Sequence, residues 1–156
     1  MSEYLDRPNR IPWPPILLAL ALAGAYAGRA ALSVAALGPA QTMAGFAVAG
    51  AGIGLIGWAF VTFGVARANI LPHRAADRLI TSGPFAWSRN PIYLGEVVVL
   101  AGLALAWSSL APALAALGLG VAVNKLAIER EEAHLDARFG DAWRDYAATV
   151  RRWGVF

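Results

Sequence analysis

The sequence predicts an all-α integral membrane protein of about four transmembrane helices with an interfacial helix near its C-terminal end. Two observations carry this. Apolar residues make up 58% of the 156 residues and charged residues only 15%, where soluble domains carry about a quarter charged. The charges also gather in blocks, separated by stretches long enough to cross a hydrocarbon core, which takes about 20 helical residues. Lipid offers the backbone no water to bond, so spans of this kind are helical. With no polar block of soluble-domain size, residues 1–156 are read as one membrane-embedded domain.

The elements follow in order. Met1-Ser2-Glu3-Tyr4-Leu5-Asp6-Arg7 is mixed in charge, and no small-residue cleavage site follows the apolar run, so a retained first span is expected rather than a signal peptide. That span runs from about Pro15 to Leu37, interrupted only by Arg29. The second runs from Met43 to Ala66 without a charge, with Pro39 in the connection before it. Val97 to Asn124 is again uncharged, and as one straight helix it would rise about 42 Å, well beyond the core. Trp107-Ser108-Ser109-Leu110-Ala111-Pro112 divides it, with an interfacial aromatic, hydroxyls able to cap a helix and a proline near the new start. Spans near Ile92 to Trp107 and Leu110 to Ile128 result.

Charge placement agrees with four spans, because cytoplasmic flanks carry the Lys/Arg excess. The N-terminus, the 67–91 loop and the region from Lys125 onward then share the cytoplasmic side, and they hold every Lys and Arg except Arg29. Three spans would set Arg130, Arg138, Arg144, Arg151 and Arg152 across the membrane from Arg67, Arg74, Arg78 and Arg89. Both termini are expected in the cytoplasm. Bases so close to spans suit anionic lipid headgroups rather than nucleic acid, despite a net charge of +3. Arg29 either snorkels to the outer face or pairs within the bundle. Without cysteine there is no disulfide, thiolate metal site or thiol nucleophile, and the two histidines lack metal-ligand spacing, so no metal is expected.

Gly52-Ile53-Gly54-Leu55-Ile56-Gly57 spells a dinucleotide fingerprint, but that motif works only where a strand turns into a helix and presents free N–H groups to phosphate. Inside an apolar helix, Gly50 with Gly54, and Gly45 with Ala49, are read instead as small-residue faces for helix packing. Asn90-Pro91 has the form of an N-cap followed by a first-turn proline, and Tyr93 that of an interfacial anchor. Glu96, one turn inside a span, either pairs with Arg89 or faces a wet cavity. The helical pattern continues from Lys125 to Phe139 and stops at Gly140, with Glu129, Glu131 and Glu132 at the membrane surface and Lys125 spaced to pair with Glu129. From Asp141 to Trp153, Trp143, Tyr146, Ala147 and Val150 share one helical face, the interfacial helix, while Arg144, Arg151 and Arg152 suit headgroups.

Together, Gly83-Pro84-Phe85, Arg89-Asn90-Pro91-Ile92-Tyr93-Leu94-Gly95, Glu131-Glu132 and Phe139-Gly140-Asp141-Ala142-Trp143-Arg144-Asp145-Tyr146 with Val150 resemble the isoprenylcysteine carboxyl methyltransferase and phospholipid methyltransferase superfamily. The likeness covers about residues 77 to 153 in order. It implies an integral membrane enzyme that transfers a methyl group from S-adenosylmethionine to a lipid or lipidated small molecule, at a carboxylate or an amine. It also implies a cofactor site at the cytosolic surface, formed by Asp77, Arg78, Leu79, Ile80, Phe85, Asn90, Pro91, Ile92, Tyr93, Glu131 and Glu132.

Arg89, Asn90 and Tyr93 are the candidate catalytic residues. Asn90 stands where the family usually has histidine, and it can hydrogen-bond but cannot titrate. A substrate-contacting arginine of the eukaryotic carboxyl methyltransferases falls near Ala127, so Lys125 and Arg130, with Glu96, are the candidate substrate-binding residues. Two other readings stand beside this one. Membrane sterol reductases share a similar C-terminal region and use NADPH, and a small membrane scaffold would have no cofactor.

Overall fold

The computed structural model describes residues 13–36, 38–67 and 76–154. The N-terminal segment Met1 to Arg7 and Arg74 lie outside them. The described residues form helices α1 (Trp13–Gly28), α2 (Pro39–Ala66), α3 (Pro91–Ala106), α4 (Leu110–Val123), α5 (Glu129–Phe139) and α6 (Asp141–Thr149). A 3₁₀ turn, Gly83–Ala86, precedes α3, and a π-helical turn, Asn124–Ile128, joins α4 to α5. The protein is all-α, with Ser33 and Ser109 forming an isolated antiparallel bridge.

Two helices are long and apolar enough to cross a bilayer, Pro39–Ala66 and the continuous run Leu110–Phe139. Only 17% of the most apolar window of α2 is covered by protein. Ile53, Val61 and Val65 point outward from it, a surface suited to lipid rather than water. The apolar helices α1 and α3 have 16 residues each. α3 lies against α2 and α4, and α1 lies against α4. The core between them includes Ala25, Leu100, Leu119, Val123 and Ile128, with Tyr93 at one end.

The α2–α3 contact is made almost backbone to backbone. A Cβ placed on Gly45 would lie 2.3 Å from the Ala106 nitrogen, one on Gly102 would lie 2.4 Å from the Ala49 nitrogen, and one on Gly52 would lie 2.7 Å from the Gly95 oxygen. The Gly45 and Ala49 face is therefore a packing surface, as the sequence suggests. Gly50 and Gly54 are not part of it, since nothing lies within 4 Å of a Cβ on either. Small residues four apart occur on two faces of α2, and only the position of α3 selects one. Gly52 belongs to the seam, inside unbroken helix.

Other boundaries also shift. The first helix ends at Gly28, short of the expected Leu37, because the chain turns to meet the α3–α4 hairpin. There the Val34 N–H donates to the Ser108 carbonyl at 2.7 Å and the Leu110 N–H to the Leu32 carbonyl at 2.9 Å. Pro39 is not in a connection but opens α2, where the missing N–H costs nothing. The hairpin forms as its sequence predicts, with Ser109 Oγ capping α4 by accepting the Ala111 N–H at 3.2 Å. Gln41 Nε2 donates to the Leu105 carbonyl at 2.9 Å and ties α2 to the same end. Arg29 is exposed there, its guanidinium 3.8 Å from the Tyr26 ring centre and 5.8 Å from that of Trp107.

The glycine seam makes a direct prediction. Gly102→Val should destabilise the protein by about 3 kcal/mol, the upper end of overpacking costs, whereas Gly50→Val should leave stability unchanged. Thermal unfolding in detergent micelles measures both, and equal Tm values for the two variants would remove the seam from the account.

Candidate functional site

The site is built where the loop before α3 folds back onto α2. Gly83 takes φ +61° and its Cα comes so close to α2 that a Cβ would lie 2.8 Å from Thr62 Oγ1. Glycine meets both demands. The turn buries Phe85, whose ring meets that of Phe63 edge-on at 5.2 Å, and Trp87 meets Trp58 in the same way at 5.4 Å. Tyr146 of α6 donates its hydroxyl to the Phe85 carbonyl at 2.7 Å. Burial pushes the Tyr146 phenol up to about 12, against the opposing pull of the Arg89 charge.

Next to this turn, the chain after α6 crosses the start of α3. The Arg89 N–H donates to the Arg151 carbonyl at 3.0 Å, and Ser88 Oγ and Asn90 Nδ2 each donate to the Arg152 carbonyl at 3.1 Å. Asn90 occupies the N-cap position, but its side chain does not cap α3 as the sequence suggests, because its amide is spent on Arg152. The Arg152 guanidinium grips both oxygens of Glu132 and donates to Asn124 Oδ1 at 3.1 Å. Hydrogen bonding to Glu132 holds Arg152 above its ordinary pKa, outweighing burial. Arg89 also pairs with Glu132, at 3.2 Å. The Arg89–Glu96 pair is therefore not formed.

Behind this clasp lies a cavity of about 500 Å³, within the range of small-molecule sites. The loop contributes Arg78, Leu79, Ile80 and Phe85, and the start of α3 contributes Arg89, Asn90, Pro91, Ile92, Tyr93 and Glu96. Glu131 and His134 enter from α5, and Trp143 and Tyr146 from α6. The other side is apolar, with Pro14, Pro15 and Leu18 of α1 and Ile56, Phe60 and Phe63 of α2. Tyr93 is not an interfacial anchor. It is buried, and its hydroxyl donates to Glu131 Oε1 at 2.9 Å. His134 Nε2 accepts the Ala76 N–H at 3.0 Å and so draws the loop toward α5. The Arg89 guanidinium carbon lies 5.4 Å from the Trp143 ring centre. Among the described residues, two buried side-chain atoms lack a hydrogen-bond partner, Arg89 Nε and Glu96 Oε2; both belong to cavity-lining residues.

Of the residues singled out in the sequence, Asp77, Glu132, Lys125 and Arg130 do not line the cavity. Asp77 is an exposed neighbour of the lining loop. Glu132 serves the clasp, Lys125 is an exposed partner of Glu129 at 2.6 Å, and Arg130 is exposed. The face of α6 read as interfacial is only partly so. Trp143 and Tyr146 turn into the protein because the Phe85 carbonyl and Arg89 offer them partners that lipid does not. The sequence reading missed His134, although it follows Glu131 at i+3 and so shares its helix face. The α1 and α2 lining carried no local signal beyond being apolar.

A family model described as phospholipid methyltransferase matches residues 40–142, more than half of the chain. The chain belongs to the phospholipid methyltransferase family. It is also similar to a Haemophilus influenzae protein described only as uncharacterized, 39% identical over 66 residues, which cover 40% of this chain and 98% of that one. No solved structure matches it. The family match begins in α2 and ends in α6, so it takes in both the glycine seam and most of the cavity wall.

The clasp can be measured. In a double-mutant cycle of Arg152→Ala and Glu132→Ala, the coupling energy should be about 0.5–3 kcal/mol, the range for residues sharing one ion-pair network. Hydrogen exchange should quicken at the amides of Arg89 and Asn90 in both single variants.

Proposed function

We propose that this protein is a multi-pass membrane enzyme, with α1 and α3 completing four spans, one domain and both termini in the cytoplasm, and that its cavity takes S-adenosylmethionine and a lipid or lipidated acceptor. The observation that carries the reading is the Tyr93–Glu131 hydrogen bond. It joins two motifs 38 residues apart at the wall of one cavity, with Arg89 and the aromatic residues Phe85 and Trp143 beside them.

The residues present fit such a cofactor. Glu131 offers a carboxylate to an ammonium group, Phe85 and Tyr93 offer aromatic surface to an adenine or a sulfonium, and the unpartnered Arg89 Nε offers a donor to a carboxylate. Bound there, the cofactor would supply an electrophilic methyl group on sulfur. The protein's part is alignment and exclusion of water, which for an in-line displacement is most of the catalytic task. Tyr93, held by Glu131, fixes the floor of the site, and the clasp through Glu132 fixes the α3 start that carries Arg89 and Asn90. The apolar wall from α1 and α2 suits the hydrocarbon tail of an acceptor entering from the bilayer.

A reductase would instead use NADPH, and a scaffold would use neither. Calorimetric titration of the purified protein separates the three. S-adenosylhomocysteine should bind, and Glu131→Ala should weaken it about tenfold to a hundredfold, the loss of a charge-assisted hydrogen bond. Binding of NADPH alone would overturn the methyltransferase reading.

A further inference from the structure

Glu96 lies on α3 one turn beyond Tyr93 and faces the same cavity. Its residue is 6% exposed, and its Oε2 is buried without a hydrogen-bond partner. Burying a polar atom unpaired is costly, and more so for a charged group, so such an atom at a cavity wall calls for a ligand that brings a donor. Two polar neighbours on the cavity wall direct their hydrogen bonds elsewhere: Arg89 pairs through Nη2 with Glu132, and the Tyr93 hydroxyl donates to Glu131. Ile56 lies close against the neighbouring Gly95, and Ile56, Phe60 and Phe63 line the same cavity, so this stretch of α3 faces apolar side chains. With α3 taken as a span, as proposed above, Glu96 lies on the membrane side of Tyr93, about 7.5 Å along the helix from its Pro91 start at about 1.5 Å per residue. That is the side from which an acceptor arrives.

We propose that Glu96 selects the methyl acceptor, by accepting the N–H of a primary or secondary amine head and taking the proton that the head must lose before its nitrogen can attack. This rests on the methyl-transfer reading above and narrows its two acceptor classes to one. The step moves a single proton from the ammonium to Oε2. An ammonium and a carboxylate become an amine and a carboxylic acid, no electron is gained or lost, and the nitrogen keeps the pair that would form the new N–C bond as the methyl–sulfur bond breaks and its pair returns to sulfur. In a dry site, exchanging an ion pair for two neutral groups is favourable, since each isolated charge would carry a large desolvation cost. A carboxylate head in the same position would instead set like charges together beside Glu96 and Glu131.

The test uses the full chain in phosphatidylcholine nanodiscs, with radiolabelled dodecylamine and dodecanoate as probes and empty discs as the blank. Protein-dependent binding of dodecylamine should be at least about tenfold tighter than that of dodecanoate. Glu96→Gln should abolish this preference while leaving the Kd for S-adenosylhomocysteine unchanged. Equal binding of the two probes by the wild-type protein, or an undiminished amine preference in a Glu96→Gln variant that still binds S-adenosylhomocysteine, overturns the proposal and spares the methyl-transfer reading. If the variant loses S-adenosylhomocysteine binding through misfolding, the wild-type preference decides. Failure of the wild-type protein to bind S-adenosylhomocysteine removes the methyl-transfer reading and this proposal with it.

Discussion

The architecture depends on one close approach, that of α2 and α3 across glycine. Lipid tails are as apolar as leucine, so helices in a membrane gain little from simply hiding apolar surface from one another, and association relies on dispersion contacts and backbone proximity. Gly45, Ala49 and Gly52 supply that proximity from one side, and Gly95 and Gly102 from the other. Because Gly95 lies between Tyr93 and Glu96 in register, the seam also sets the rotation of α3. With its glycine face turned to α2, the helix directs Tyr93 toward α5, where Glu131 waits. The geometry of the cavity therefore follows from where side chains are missing as much as from where they are present.

Adjacent acids on α5 show how finely a helix can divide labour. Glu131 and Glu132 are consecutive and chemically alike, yet about 100° of helical rotation separates them. One meets Tyr93 at the cavity, and the other meets Arg89 and Arg152 on the far side of the α3 start. The second acid is a bracket for the wall that the first one faces. The C-terminal residues thereby become part of the site's support without lining it, since the Arg152 carbonyl receives both Ser88 and Asn90.

Much of this was legible in the sequence, for identifiable reasons. The hairpin at Ser108 and Ser109, the stop at Gly140 and the run of lining residues from Arg78 to Tyr93 and Glu131 are all written in short-range signals or in motif residues that resemble a family. What could not be read is what depends on a distant neighbour. Asn90 looks like a cap until the Arg152 carbonyl claims its amide. Gly50 and Gly54 look like an interface as much as Gly45 and Ala49 do. The face of Trp143 and Tyr146 looks ready for lipid until the Phe85 carbonyl is placed beneath it. In each case local rules limit what the residue is able to do, and tertiary contact chooses among the options.

The π-helical turn at Asn124–Ile128 gains meaning in this light. A π turn accommodates one residue more than the α-helix around it, so everything beyond is rotated by about 100° relative to an uninterrupted continuation. Leu119 and Val123 before it point into the bundle core, and Glu131 and His134 after it point into the cavity. The turn thus acts as a phase shifter within a single rod: it lets one continuous helix serve the apolar core of the bundle along one stretch and present Glu131 and His134 to the cavity along the next, with no loop spent on the change.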